Sequence, residues 1–455
     1  MRALGWLAVA VLYYFASWPP LIFFSWLAAA LRVAAEPLAG LLLAAVLLPF
    51  YYQHKELYLV DYSWTIAPAE AVALCLLPVL GYQLWLTRRR RGWPLPATDR
   101  LALLWLAINL AAVFTVWQWP AYGQGLRDVV IVPLVLYLAV RLLVTSQAQQ
   151  EQIALALLLG GLLAAVGGLV TWWRGEGVVA DGLLRLVGFS YSPNHTALYL
   201  ERTLLLGAGL TLAWPRPVWR WGLAGATAIV GVALLLTVSR GAWFLGLPVA
   251  LGMAGWLVQR RVGGRGTMRL VKQRPVRFWL GLLLVLSLLA VVVLLLLPAI
   301  SARLHNSETV SSRLRIWQAT FALWRDYPLF GVGVGGFFWR YPAFLIGSIS
   351  EPNILHPHNV WLEFAAIWGL SGLLWLGALL VIVVRQSRCW AWAPVGRDFW
   401  LALGLAAGLA AGFAHAQVDT LFVLADLAAW NWLALALLDS IRKFLCATKP
   451  AREGK

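Results

Sequence analysis

The stretch His356-Pro357-His358-Asn359, with Glu363 four residues after Asn359, holds the side chains of this chain best suited to moving a proton. Histidine titrates near neutral pH and can take a proton from a hydroxyl, so His358 is the first candidate base and His356 the second. Pro357 restricts the backbone between them. One helical turn separates Asn359 from Glu363, which lets both point toward one site. A histidine that merely caps the next helix is the plainer reading. His-x-His can also ligate zinc, but no cysteine or aspartate follows closely and Glu363 is the only near carboxylate, so no metal is expected.

A second set is cationic. By the span layout below, Arg174, Arg185, Arg240, Arg313, Arg315, Arg325 and Arg340 fall on the same outer side as the histidines. They run against the tendency of basic residues to stay inside. Guanidinium forks bind phosphate oxygens in pairs, and near a membrane surface the natural anion is a lipid pyrophosphate. Pairing with lipid headgroups, or with Asp181, Glu201, Glu308 and Asp326, is the alternative. Arg240 stands out because Ser239-Arg240-Gly241-Ala242 is expected to be the tight turn of a helical hairpin, and charges at such depth are usually functional. In Ser192-Pro193-Asn194-His195, Asn194 and His195 open a span from the outer side. His415 and Asp419, four apart near the outer end of a late span, can line the same cavity. Trp317, Trp324 and Trp339 can stack on sugar rings or pack on the membrane surface.

The elements that must position these residues are membrane helices. Of 455 residues, 62% are hydrophobic and 12% charged, against about 25% charged in a soluble protein. Apolar runs of about 20 residues recur without strand-like alternation, which indicates a polytopic α-helical membrane protein rather than a barrel. The net charge of +17 comes from 36 basic and 19 acidic residues scattered over short loops. That distribution fits the positive-inside rule and a lipid bilayer partner, not nucleic acid. Arg88 to Arg91 orient the chain with that loop inside. Alternation then puts the basic loop 259–277 inside as well, and the polar segment outside. Pro19-Pro20 break the first 35 residues into two short spans or one interrupted span. About 12–14 spans result. The division is 1–299, transmembrane helices with short loops; 300–359, a small extracytoplasmic helical segment; and 360–455, C-terminal spans and a cytoplasmic tail. Within the segment, Ser311 to Trp324 has helical spacing with Ser311 or Ser312 as N-cap. Gly331 to Gly336 should form a tight loop. Many of the 28 tryptophans, such as Trp18, Trp93, Trp119 and Trp214, sit at span ends and read as interfacial anchors.

The run Ser312-Arg313-Leu314-Arg315-Ile316-Trp317, then Asp326-Tyr327-Pro328-Leu329-Phe330-Gly331-Val332-Gly333, then His356 to Asn359 and Glu363 to Gly372, resembles the O-antigen ligase and O-antigen polymerase superfamily of bacterial membrane proteins. Arg185 to Gly188, Pro193-Asn194 and Ser239 to Ala242 fit the same pattern. The resemblance covers about 180–372 by motif. It implies a GT-C-like, all-α fold in the inner (plasma) membrane. It also implies a glycosyltransferase of lipopolysaccharide or polysaccharide biosynthesis. Such an enzyme moves a glycan from undecaprenyl pyrophosphate to an acceptor hydroxyl, on a glycan or glycolipid, at the periplasmic face. Arginines matching Arg185 and Arg240 would grip the pyrophosphate, with Arg313 or Arg315 as a further candidate, and the histidine matching His358 would be the base. No cofactor, metal or nucleotide sugar is expected. The chain departs from the pattern at Ser192-Pro193-Asn194, which is followed by His195, and the role of His195 stays open. A polymerase of the same superfamily is an alternative. A transporter of an anionic lipid-linked substrate is another, although its charges should then sit at mid-membrane.

Overall fold

Proline sets where many of the helices begin. Pro19, Pro37, Pro68, Pro193 and Pro217 each open one, at a position where the missing amide has no partner to lose. The computed structural model describes residues 2–59, 62–91, 95–180, 182–272, 308–346, 354–391 and 393–447. The span expected at 278–299, residues 300–307 of the polar segment and the basic tail beyond 447 lie outside the described residues.

The chain runs α1 (Arg2–Phe15), α2 (Pro19–Ala35), α3 (Pro37–Leu47), the hairpin β1 (Lys55–Leu59) and β2 (Tyr62–Ile66), and α4 (Pro68–Arg91). Then come α5 (Ala97–Ala111), α6 (Trp119–Gly125), α7 (Val132–Leu143), α8 (Gln147–Trp173) and a second hairpin, β3 (Val178–Ala180) and β4 (Leu183–Arg185). It continues through α9 (Pro193–Ala213), α10 (Pro217–Leu236), α11 (Leu247–Lys272), α12 (Glu308–Asp326) and α13 (Phe337–Arg340). The last three helices are α14 (Val360–Ala391), α15 (Arg397–His415) and α16 (Ala425–Ala447). The protein is an all-α polytopic membrane protein. Among the described residues, seven helices are long and apolar enough to cross a bilayer, fewer than the 12–14 expected. Part of the difference is chemical. Helices α9 and α16 have the length, but they bury Glu201 and Arg202, and Asp426, Asn431 and Asp439, respectively.

Four local expectations are narrowed or changed. The first 35 residues form two helices, separated just before Pro19-Pro20. The polar loop after Gln53 is a hairpin pairing Lys55 with Ile66; its β-branched and aromatic residues suit paired strands. Helix α12 begins at Glu308, so Ser311 and Ser312 lie inside it rather than capping it. Finally, many tryptophans are interior. Trp105 lies 4.3 Å from Trp375 and 4.8 Å from Trp368, ring centre to ring centre, and all three are buried.

Two backbone features bring the loops to the site. Helix α14 is interrupted at Gly369, where φ is 65° and ψ −157°, a conformation open essentially to glycine. The glycine-rich loop after Pro328 fills the gap. Val332 and Gly333 donate to the carbonyls of Ala366 and Ile367, and Leu370 and Ser371 donate back to Pro328 and Leu329. Elsewhere α9 crosses α15 closely, since a Cβ on Gly209 would stand 2.8 Å from the Gly404 Cα. Small residues at such crossings let membrane helices approach.

Candidate active site

The histidine loop is held from two sides. The Asn359 side-chain oxygen accepts from the amides of Trp361 and Leu362 at 3.0 and 3.1 Å, capping α14, and its amide donates to Gln417 O at 3.1 Å. Trp317 of α12 donates to Pro357 O at 3.0 Å. Glu363 is fully buried, and its carboxylate accepts from the amides of Leu421 and Phe422 at 3.4 and 3.2 Å. Asn359 and Glu363 therefore both grip the turn between α15 and α16. The capping residue is Asn359, not a histidine.

That turn carries Asp419. Helix α15 ends at His415, so the four-residue spacing from His415 to Asp419 is not a helical one. Asp419 nevertheless arrives at the histidines: its Oδ1 lies 3.8 Å from His356 Nε2 and 3.8 Å from His358 Nδ1. The two imidazoles stand 4.4 Å apart, centre to centre, at 70°. His356 Nδ1, His358 Nδ1 and Asp419 Oδ2 are buried without hydrogen-bond partners. Burial, then the neighbouring His358, push the His356 imidazole down to about 3, so it is neutral at physiological pH. Burial alone would raise the Asp419 carboxyl, but the neighbouring histidines, His358 first and then His356 and His415, hold it well below the usual carboxylate range.

Among the described residues only two non-glycine positions adopt left-handed backbone, Val238 with φ 48° and His358 with φ 53°. Each costs about 1–3 kcal/mol, and such outliers gather at functional sites. One is the candidate base; the other is two residues before Arg240.

The Arg240 turn is built by buried polar contacts. Arg185, at the end of β4, donates from Nε to Thr237 O at 2.8 Å and from Nη2 to the Asn194 side chain at 2.9 Å. Ser239 Oγ is 3.4 Å from His415 Nε2, and His415 Nδ1 is 3.2 Å from Glu201 Oε2. The His415 ring also packs on Gly241, where a Cβ would come within 2.2 Å of it. Arg313 joins from α12. Burial lowers its guanidinium from the ordinary value, while the Asp419 charge opposes and the Arg240 charge adds. Arg240, Arg313 and the histidine–Asp419 group thus act on one another electrostatically.

The other candidates are placed differently. Arg315 has a buried Nε without a partner. Arg325 is exposed, twelve residues and about 18 Å along α12 from Arg313. Arg340 lies over the rings of Trp117 and Tyr327, at 4.8 and 5.1 Å. Arg174 is an exposed C-cap of α8. His195 is buried and pairs through Nε2 with Asp426 at 2.9 Å, where Tyr52 also donates at 3.3 Å. Neither Asp426 nor the buried Arg202, which donates to Asn431 at 3.3 Å, was singled out from the sequence. An isolated charge in an apolar run was the available signal.

A cavity of about 380 Å³ opens beside this region, lined by Tyr52, Asp128, Tyr191, Phe337, Trp339 and Leu355 among others. A larger one of about 590 Å³ lies on an apolar flank between α11, α14 and α15, with Arg260, Arg261 and Arg388 among its lining. No curated protein matches the chain. Residues 225–377 match the family model described as O-Antigen ligase, and that span contains Arg240, Arg313, Arg315, His356 and His358. Over this span the chain is similar to the O-antigen ligase family, a match that supports the O-antigen ligase superfamily, and its apolar helices are those of a multi-pass membrane protein.

Proposed function

We propose that the chain transfers a glycan from an undecaprenyl-pyrophosphate carrier to an acceptor hydroxyl, at the periplasmic face of the inner membrane. The family-model match over residues 225–377 supports ligase- or polymerase-type transfer in general. The observation that supports the finer reading is the His356, His358 and Asp419 group with a mostly buried Arg313 in electrostatic reach of both Asp419 and Arg240.

The acceptor O–H gives its proton to His358, which Asp419 steadies as an imidazolium. The acceptor oxygen forms a bond to the anomeric carbon. The bond from that carbon to the pyrophosphate oxygen breaks, and its electron pair leaves with undecaprenyl pyrophosphate. Arg240 and Arg313 neutralise the leaving charge, while Arg185 fixes the Arg240 turn through Thr237. With base and leaving group on opposite faces, the anomeric centre inverts. Guanidinium groups take the role a metal would otherwise serve, so turnover should survive chelators. The arginine-rich helix ends, such as Arg88 to Arg91, face the cytoplasm in this reading.

The test is turnover by purified full-length protein with a lipid-pyrophosphate-linked glycan. His358→Ala and Arg240→Ala should each lower it by about 10²-fold or more. Unchanged turnover in both would overturn the assignment. Ligase is the preferred role. A deletion strain should then leave full-length glycan chains on carrier lipid; single unlinked repeat units would identify a polymerase instead.

A further inference from the structure

We infer that His356, His358 and Asp419 also form a binding site for a divalent transition-metal ion such as Zn²⁺, and that filling it inhibits transfer. The inhibition half rests on the role of His358 proposed above; the binding half stands without it.

The ligand set is one the sequence hides. His356 and His358 lack a nearby carboxylate in the chain, and the turn after α15 supplies it. One donor atom from each of the three residues lies within 4.8 Å of the others. A metal at about 2.0–2.2 Å from each donor would hold them about 3.4 Å apart. The observed 3.8 Å separations from Asp419 Oδ1 need to close by only a few tenths of an ångström. His356 is 8% exposed and Asp419 3%, and each has a buried polar atom without a hydrogen-bond partner. Two imidazoles and one carboxylate suit zinc, cobalt or nickel rather than magnesium or calcium, which prefer oxygen donors.

The surroundings favour occupation at fixed geometry. Trp317 and Asn359 hold the histidine loop, and Glu363 holds the amides that follow Asp419. The nearby positive charge of Arg313 opposes a cation, which keeps binding reversible. A metal on His358 Nδ1 fixes the ring proton on Nε2, so neither ring nitrogen can then accept a proton from the acceptor hydroxyl.

The experiment uses full-length protein in detergent, stripped with chelator. Zn²⁺ is titrated by calorimetry, and Co²⁺ is used as a spectroscopic probe of imidazole ligation. Wild type should bind one ion per chain. His356→Ala and Asp419→Asn should each weaken binding by more than about tenfold, with His356→Gln as a second variant should either fail to fold. Absence of binding in wild type, or unchanged affinity in the folded variants, overturns the site. Zn²⁺ should suppress glycan transfer, and chelator should restore it. Full binding with undiminished turnover overturns the inhibition alone. A wild-type protein that binds the ion but transfers no glycan sinks the transferase reading and leaves the metal site standing.

Discussion

The two ends of the helix bundle use buried charge in opposite ways. At the end bearing the N-terminus of α5 and the C-terminus of α7, Asp99 is fully partnered. Its Oδ1 accepts from Tyr137 at 2.6 Å and from Arg141 at 2.8 Å, and its Oδ2 from Arg141 at 2.9 Å. Nearby, Arg397 pairs with Glu151, and Asp439 accepts from Thr98 while its other oxygen has only an ion-pair contact, 3.4 Å from Arg442 Nε. At the other end, Asp419 is at least as buried, yet its Oδ2 has no hydrogen-bond partner and its Oδ1 stands 3.8 Å from two histidines. A saturated network holds helices together. An unsaturated one holds free energy in reserve for a ligand, because leaving a buried polar group unmade costs about 1–3 kcal/mol. The comparison sets an aspartate bonded at both oxygens against one left open beside two histidines, and the proposed chemistry sits at the second.

Exchanging the two aspartates' neutral isosteres tests this most severely. Asp419→Asn should cut glycan transfer by about 10²-fold or more, at a smaller stability cost than Asp99→Asn because fewer hydrogen bonds are lost. Asp99→Asn should do the reverse, costing about 3–5 kcal/mol by uncovering Arg141, with turnover per folded molecule retained. Equal stability losses in the two variants would erase the distinction. Next in size, Gly241→Ala should press its Cβ into the His415 ring and displace Arg240, lowering transfer about tenfold. Rescue by His415→Ala in the double variant would confirm that the ring sets the turn.

Acid should act at the open end first. His356 is held neutral down to about 3, below its ordinary 6.5. Between those values the unfolded chain binds a proton that the folded chain does not, so stability falls as pH drops through this window, by at most about 1.4 kcal/mol per pH unit. The depressed Asp419 carboxyl adds a further loss only below the usual carboxylate value. Melting curves of His356→Gln from pH 7 to 4 should show a flatter acid limb than wild type; parallel curves would remove His356 from the account. Smallest of all, Arg325→Ala should change turnover by less than about twofold, since Arg325 is exposed at the far end of α12. A large loss there would extend the anion site beyond the Arg240 turn.

Much of this was legible in the chain. Runs of apolar residues announced the membrane helices, because a bilayer core demands them. Pro19-Pro20 announced a break, and the glycines from Gly331 announced a loop. Other features were not legible. Glu363 shares a helical face with Asn359, but helical spacing does not say that both bind the 416–424 turn. The mutual packing of Trp105, Trp368 and Trp375 is not visible in their positions along the chain. The hairpin at Lys55–Ile66 has too few residues to stand out against the helices around it.

Composition and local pattern by themselves determined a polytopic helical membrane protein, its superfamily motifs, and the residue types available at its reactive end: guanidinium and imidazole. Those properties are local, set by side-chain polarity over about one span and by turn chemistry. Only the tertiary structure decided which groups meet. It brought Asp419, more than sixty residues after His356, to both imidazoles, and it locked His195 onto Asp426 instead. It also separated Arg313 from Arg325 on one helix. The physical reason is that a contact between distant segments depends on how helices cross and where turns close, and neither is encoded in the spacing of residues along a single run.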